Sequence, residues 1–214
     1  MTTDEKSKSN ADLTAAELTE QFPTAHSLQN KLLYLQQTVD PKLRLFSREQ
    51  WSAAYSDHRI SIRLFLAERF SFHFTREQQA LLYDLNWRPQ SRDGFVSIAH
   101  CQALGGFSFS ARPHGFDMEE LHRISVPILN RTASEAELAL CPRREFLWCA
   151  KEAGFKALSE QVTVITDLVC TDWQSHFENQ IWSYRLISHK TLDLELNKGF
   201  IFLDQNILYA LYFR

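Results

Sequence analysis

The sequence predicts an α+β fold with antiparallel sheets and long packed helices, arranged as two similar halves with a loose pseudo-twofold relation. Three observations carry this expectation. Strand-like runs fall in hairpin-like neighbours, and helical runs stand between groups of them without a strict βαβ rhythm. Each half holds a long helical run followed by strands. The GxGxxG and GxxxxGK loops of doubly wound nucleotide-binding sheets are both missing.

With 214 residues, 44% apolar and 23% charged, the chain can bury one sizeable core or two small ones. Its 16 Phe residues make that core aromatic-rich. Residues 1–12 are polar and read as a disordered tail, 13–110 as an N-terminal half and 111–214 as a C-terminal half.

The elements follow in order. Leu13 to Val39 has helical texture, with Leu28, Leu32 and Leu35 on one side and Leu33 beside them, and Asp40-Pro41 ends it. Ser47-Arg48-Glu49-Gln50 has the capping-box pattern and predicts a helix start. Ile62, Leu66, Phe70 and Phe74 recur every fourth residue, a buried helical face. Thr75-Arg76-Glu77-Gln78 predicts a second capped start, for a short helix to Leu85. Asp93-Gly94 and Gly105-Gly106 read as turns around a hairpin of Phe95–Ala99 and Phe107–Ser110.

Pro113-His114-Gly115 punctuates the approach to Asp117. Ser134-Glu135-Ala136-Glu137 opens another capped helix, and Pro142 stands near the first turn of the next, which is expected to run to about Gln161. Five apolar or alternating runs come after it: Val162–Cys170, Ile181–Ser188, Leu192–Leu196, Phe200–Leu203 and Ile207–Phe213. Asn197-Lys198-Gly199 and Asp204-Gln205-Asn206 read as hairpin connections.

A net charge of −3 argues against a nucleic-acid partner. The charge is uneven. Residues 41–92 hold nine Lys/Arg against five Asp/Glu, and residues 157–214 hold four against seven. The basic stretch suits a phosphate-rich or acidic partner, and equally an ordinary solvated surface. Four cysteines, at 101, 141, 149 and 170, form no CxxC pair, and no apolar run approaches a membrane span. Free thiols, no membrane and a cytoplasmic location are the expectation.

Two clusters carry chemistry. Arg144, Trp148, Glu152 and Lys156 recur at i, i+4, i+8 and i+12, so they share one helical stripe. Phe146, Cys149, Ala150, Ala153 and Ala157 form a separate apolar stripe for the core. A Glu–Lys pair at i, i+4 also stabilises a plain surface helix. In an extended segment, Asp117 and Glu119 project to the same side. Two carboxylates so placed repel each other unless a cation stands between them, and hard oxygens suit Mg²⁺. His100 ends a predicted strand; a His there is more often structural, although an imidazole can donate to phosphate.

His100, then Gly115-x-Asp117-x-Glu119, then Trp148-x-x-Lys151-Glu152-Ala153-x-x-Lys156, resembles the 4'-phosphopantetheinyl transferase superfamily, whose signature joins GxDxE to WxxKEAxxK. Chain length and two-half organisation resemble the larger, monomeric, surfactin-synthetase-activating type. The resemblance implies transfer of phosphopantetheine from coenzyme A to a serine of an acyl or peptidyl carrier protein, releasing 3',5'-ADP. It implies Mg²⁺ held in the C-terminal half by Asp117, Glu119 and Glu152, with Glu152 as base and Lys156 at the leaving phosphate. Lys151 is expected to help position the pyrophosphate or the metal-binding carboxylate, and His100 to contact a coenzyme A phosphate. His58-Arg59 and Arg88-Pro89 resemble basic pairs of the family, and Arg44 and Arg48 are further phosphate candidates. Cys101 stands where the family usually has serine, and Phe116 and Met118 where it has small aliphatic residues. A catalytically weak relative that binds coenzyme A or carrier protein is the alternative, and a metal-dependent phosphohydrolase a third reading.

Overall fold

Seven consecutive apolar residues, Ile207–Phe213, form a strand buried along its whole length. Ile207, Tyr209, Leu211 and Phe213 enter one core, and Leu208, Ala210 and Tyr212 enter another. The two-residue period of a strand places these cores on opposite faces of one sheet. The structure, a computed structural model, describes residues 26–48, 55–69, 74–82, 84, 93–176, 180–188 and 197–214.

The chain is α+β with two antiparallel sheets. Helix α1 spans His26–Thr38, strand β1 Arg44–Arg48, α2 Tyr55–Arg69 and α3 Arg76–Leu81. Strands β2 (Phe95–His100) and β3 (Gly105–Ser110) follow and join β1 in the order β1-β3-β2. Then come β4 (His114–Glu120) and the helices α4 (Val126–Thr132), α5 (Glu135–Leu140) and α6 (Arg144–Ala157). The chain ends with β5 (Leu168–His176), β6 (Ile181–Ser188), β7 (Lys198–Asp204) and β8 (Ile207–Phe213), and the larger sheet has the order β4-β8-β7-β6-β5.

Helix α6 covers one face of the five-stranded sheet through Cys149, Ala150, Ala153 and Ala157, which pack with Leu186, Leu208, Ala210 and Tyr212. Small residues on both sides let the helix lie close. A Cβ added to Gly115 on β4 would run into the Ala153 carbonyl oxygen, so glycine is what permits this approach. The other face packs Phe116, Met118, Phe200, Phe202 and Tyr209 against Leu28 and Leu35 of α1 and against Ala99 and Cys101. A third cluster, with Ile62, Leu66, Val96 and Phe107, seats α2 on the three-stranded sheet.

Polar links fix α1 along its length and just past its end. Lys31 of α1 reaches Asp204 at 3.4 Å, with both side chains buried. Asp40, just past α1, accepts from Ser110 Oγ at 2.5 Å and from the N–H groups of Ala111 and Lys42 at 2.8 Å. Burial pushes its carboxyl up, but these hydrogen bonds outweigh that and hold it below the ordinary range.

Local signals place several elements well. Capping boxes form at Thr75–Gln78 and at Ser134–Glu137. Leu28 and Leu35 are buried while Leu33 is exposed. The Asp204-Gln205-Asn206 turn joins β7 to β8, with Gln205 in the left-handed region at φ 54. Other expectations need correction. Ser47 and Arg48 end strand β1 instead of starting a helix. Gly105 and Gly106 lie within β3; a Cβ on Gly106 would stand 2.6 Å from the Phe46 carbonyl oxygen, so this glycine admits the neighbouring strand instead of making a turn. Phe74 is buried but lies beyond α2, and α3 ends at Leu81. Helix α6 stops at Ala157, short of Gln161, and β5 starts at Leu168 instead of Val162. His114 and Gly115 belong to β4, and Lys198 and Gly199 to β7. The tail 1–12, residues 13–25 of the first helical run, Phe70 and residues 192–196 lie outside the described residues. Among the described residues, no helix is long and apolar enough to cross a membrane. The four cysteines are free thiols.

Candidate active site

The edge strands of the two sheets meet beside the last turns of α6. β4 ends the larger sheet and β2 ends the smaller one. Ser97 Oγ of β2 accepts from the Phe116 N–H of β4 at 2.8 Å, a side-chain bond where no ladder runs. Lys156 spans the same seam. Its Nζ lies 2.8 Å from Asp117 Oδ1, 2.9 Å from the Phe116 carbonyl and 3.4 Å from the Ile98 carbonyl.

A cleft of about 310 Å³ opens here. Asp117 and Glu119 line it from β4, and Trp148, Glu152 and Lys156 line it from α6. His100 enters from the end of β2, and Arg59 and Arg63 from α2. The strand period puts both β4 carboxylates on the α6 side, and the helix period puts all three α6 residues on one stripe. The apolar stripe of α6 holds that orientation, because Cys149, Ala150 and Ala153 are fully buried beneath it.

Negative charge is concentrated on one wall. Burial pushes the Glu152 carboxyl above the ordinary range; Asp117 and Glu119 push it further and Lys156 offsets part of this. Glu119 is raised for the same first reason, with Asp117 adding to it and the Glu120 N–H and Arg123 opposing. Both groups therefore favour a nearby cation or a proton. Cys149 lies under the same wall, and burial followed by these carboxylates drives its thiol far up, leaving it inert.

The oxygen donors on β4 and α6 match a hard divalent ion in chemistry. Among the described residues, however, no three His, Cys, Asp or Glu side chains stand as a formed metal cluster. The cation on Asp117 is the Lys156 ammonium.

The structure thus gathers Asp117, Glu119, Glu152, Lys156, His100 and Arg59 around one cleft. Lys151 needs correction. It is 1% exposed and lies 2.7 Å from Glu137, with a second bond to the Thr132 carbonyl. Its helical position turns it away from Glu152 and towards α4 and α5, so it cannot touch a ligand in the cleft. Arg44 donates to the Pro41 and Leu43 carbonyls at 3.0 and 2.8 Å, and neither Arg44 nor Arg48 lines the cleft. Arg88 lies outside the described residues. The Cys101 side chain is buried, its Sγ accepts from the Leu104 N–H at 3.4 Å, and burial pushes its thiol to about 11. It joins the core with Phe116 and Met118. Sequence reasoning missed Arg63, and its spacing of four from Arg59 was the signal that could have found it.

No family model matches the chain, and no curated protein matches it.

Proposed function

We propose that the chain is a Mg²⁺-dependent 4'-phosphopantetheinyl transferase, moving phosphopantetheine from coenzyme A to a serine of an acyl or peptidyl carrier protein. One observation carries this reading. Asp117, Glu119, Glu152 and Lys156, which the two sequence motifs single out across some forty residues, line one cleft with His100 and Arg59. The finer fold reading belongs with it: two similar halves, one sheet drawn from residues 44–110 and the other from 114–213.

Arg59 and His100 hold phosphate oxygens of coenzyme A on one wall of the cleft. On the other, Asp117, Glu119 and Glu152 would hold the ion, which when bound neutralises pyrophosphate charge and polarises the attacked phosphorus. These few carboxylates would suit such an ion without a closed protein cage, because waters and substrate oxygens would supply the remaining ligands. The carrier serine oxygen attacks the phosphorus bearing the pantetheine arm. Its proton passes to Glu152, directly or through water, since this carboxylate lines the cleft beside the other acidic groups. The bond to the second phosphate breaks, its electron pair leaves on 3',5'-ADP, and Lys156 neutralises the departing oxygen.

Intact-mass measurement tests the proposal. With coenzyme A and Mg²⁺, an apo carrier should gain about 340 Da, the phosphopantetheinyl group delivered by phosphoryl transfer. No gain across fatty-acid, polyketide and nonribosomal-peptide carriers overturns it. The ion pair between Lys156 and Asp117 favours a second reading, a catalytically weak relative that binds coenzyme A while its own ammonium holds the carboxylate. Calorimetric coenzyme A binding without mass transfer would select that reading.

A further inference from the structure

We propose that Glu120 is a positioning residue: it clamps the turn between β2 and β3 so that His100 faces the Asp117 and Glu119 carboxylates across the cleft. The inference deepens the reading above and rests on it only for coenzyme A as the ligand.

His100 ends β2 of the smaller sheet, whereas Asp117 and Glu119 stand on β4 of the larger one. Among the described residues no backbone ladder joins β2 to β4, so side chains must set the spacing between these two walls. Ser97 and Lys156 tie the seam at Phe116 and Ile98. Glu120 ties it beyond His100. Its Oε1 accepts from the Ala103 N–H at 2.7 Å, a short charge-assisted bond. Its other oxygen lies 3.4 Å from Nε2 of the exposed His122.

Packing alone does not call for a carboxylate at this position. Phe116, Met118 and Glu120 alternate onto the β4 face away from Asp117 and Glu119. Phe116 and Met118 join the core with Ala99 and Cys101, and Glu120 continues their stripe at 7% exposure. An apolar side chain would fill that place without the cost of burying a charge. What the carboxylate adds is direction.

The bonded N–H belongs to the turn that leaves His100. Within it the Cys101 N–H donates to the Leu104 carbonyl at 2.8 Å, the Leu104 N–H donates to Cys101 Sγ at 3.4 Å, and His100 pairs with Gly105. Turn and strand end therefore move together. Apolar packing of Cys101 and Leu104 holds the turn to the larger sheet, but such packing is non-directional. The Glu120 bond fixes the angle, and with it the side of the cleft that His100 presents. Without it the turn can swing and His100 leaves its phosphate, while Asp117 and Glu119 keep their ladder with β8. The loss should fall on binding and spare the chemical step.

Glu120→Ala and Glu120→Gln test this, since the amide oxygen of Gln can still accept from Ala103 while the charge is gone. In ¹⁵N-labelled protein the ring resonances of His100, assigned by their loss in His100→Gln, should move in Glu120→Ala and stay in Glu120→Gln. Those of His176, on the opposite edge of the larger sheet, should stay in both. His100 resonances unmoved in Glu120→Ala, moved equally in Glu120→Gln, or moved together with those of His176 overturn the proposal. In the transfer assay Glu120→Ala should raise the KM for coenzyme A about fivefold or more, the equivalent of one lost hydrogen bond. Its kcat should stay within about twofold, and Glu120→Gln should restore KM. A fall in kcat at unchanged KM overturns the proposal. If Glu120→Ala does not fold, Glu120→Asp is read in its place, because it keeps the charge and falls one methylene short of Ala103. A wild type that adds no mass to any carrier loses the transferase reading, and the His100 resonances still decide this inference.

Discussion

The Lys156 ammonium stands 2.8 Å from Asp117 Oδ1, across 39 residues of sequence, and the same nitrogen touches carbonyls of both edge strands. It is at once the partner of a buried carboxylate and the tie between two sheets. Lys156→Met should therefore cost about 1–3 kcal/mol in denaturant unfolding without divalent cations, the range for a buried acceptor stripped of its partner. Mg²⁺ should recover more stability in the variant than it adds to the wild type, because ion and ammonium compete for Asp117. Equal Mg²⁺ increments in the two proteins would place the ion away from Asp117.

Glu152 links stability to pH. Burial, Asp117 and Glu119 raise its carboxyl above the ordinary 4.5, with Lys156 only partly opposing. Between the unfolded and folded values, the native chain binds more protons than the unfolded one, so stability falls as pH climbs through that window and stays lower above it. Glu152→Gln removes this loss. Its melting temperature should match or exceed that of the wild type at neutral pH, and the difference should shrink below pH 4.5. The same variant should transfer no mass to a carrier. A variant less stable than the wild type at neutral pH contradicts the sign, and retained transfer removes Glu152 as the base.

Gly115→Ala tests the seat of α6. The new methyl group would meet backbone, the Ala153 carbonyl and the Ala157 N–H, so neither neighbour can rotate away. Overpacking of this kind costs about 1–3 kcal/mol. Because α6 also carries Glu152 and Lys156, transfer by the folded variant should fall as well. A melting temperature within a degree of the wild type would show that helix and strand can separate freely.

Lys151 and Glu137 form the deepest ion pair of the described residues, at 2.7 Å with side chains 2% and 5% exposed. Burial raises the Glu137 carboxyl, but Lys151 and the N–H groups of Ser134 and Cys170 outweigh it and hold it below the ordinary range. Removing one partner strands the other, so Lys151→Met or Glu137→Gln alone should cost about 3–5 kcal/mol, and the double variant less than the two losses combined. Coenzyme A affinity of the folded double variant should stay near that of the wild type, since neither side chain lines the cleft. A loss of affinity without a loss of stability would return Lys151 to the ligand.

Much of this was legible because it is local. Capping at Thr75 and Ser134, the stripe through Trp148, Glu152 and Lys156, and the continuous apolar run of β8 all follow from contacts within four residues or from a fixed period. Gly105-Gly106 misled for the same reason. Its glycines look like a turn, yet Gly106 answers a strand some sixty residues earlier that no window includes. Lys151 entered the candidate site only through the motif it shares with Glu152, and a shared motif says nothing of which side of a helix faces a cleft and which faces another helix.

The sequence alone determined the α+β class, the helix stripe and the pairing of Asp117 with Glu119 on one strand face, since periodicity and short-range sterics decide these. Only the tertiary structure decided that Lys156 bridges two sheet edges, that Lys151 belongs to Glu137, and that Arg63 joins Arg59 at the cleft. Those outcomes depend on which buried faces meet, a choice made by packing over the whole chain.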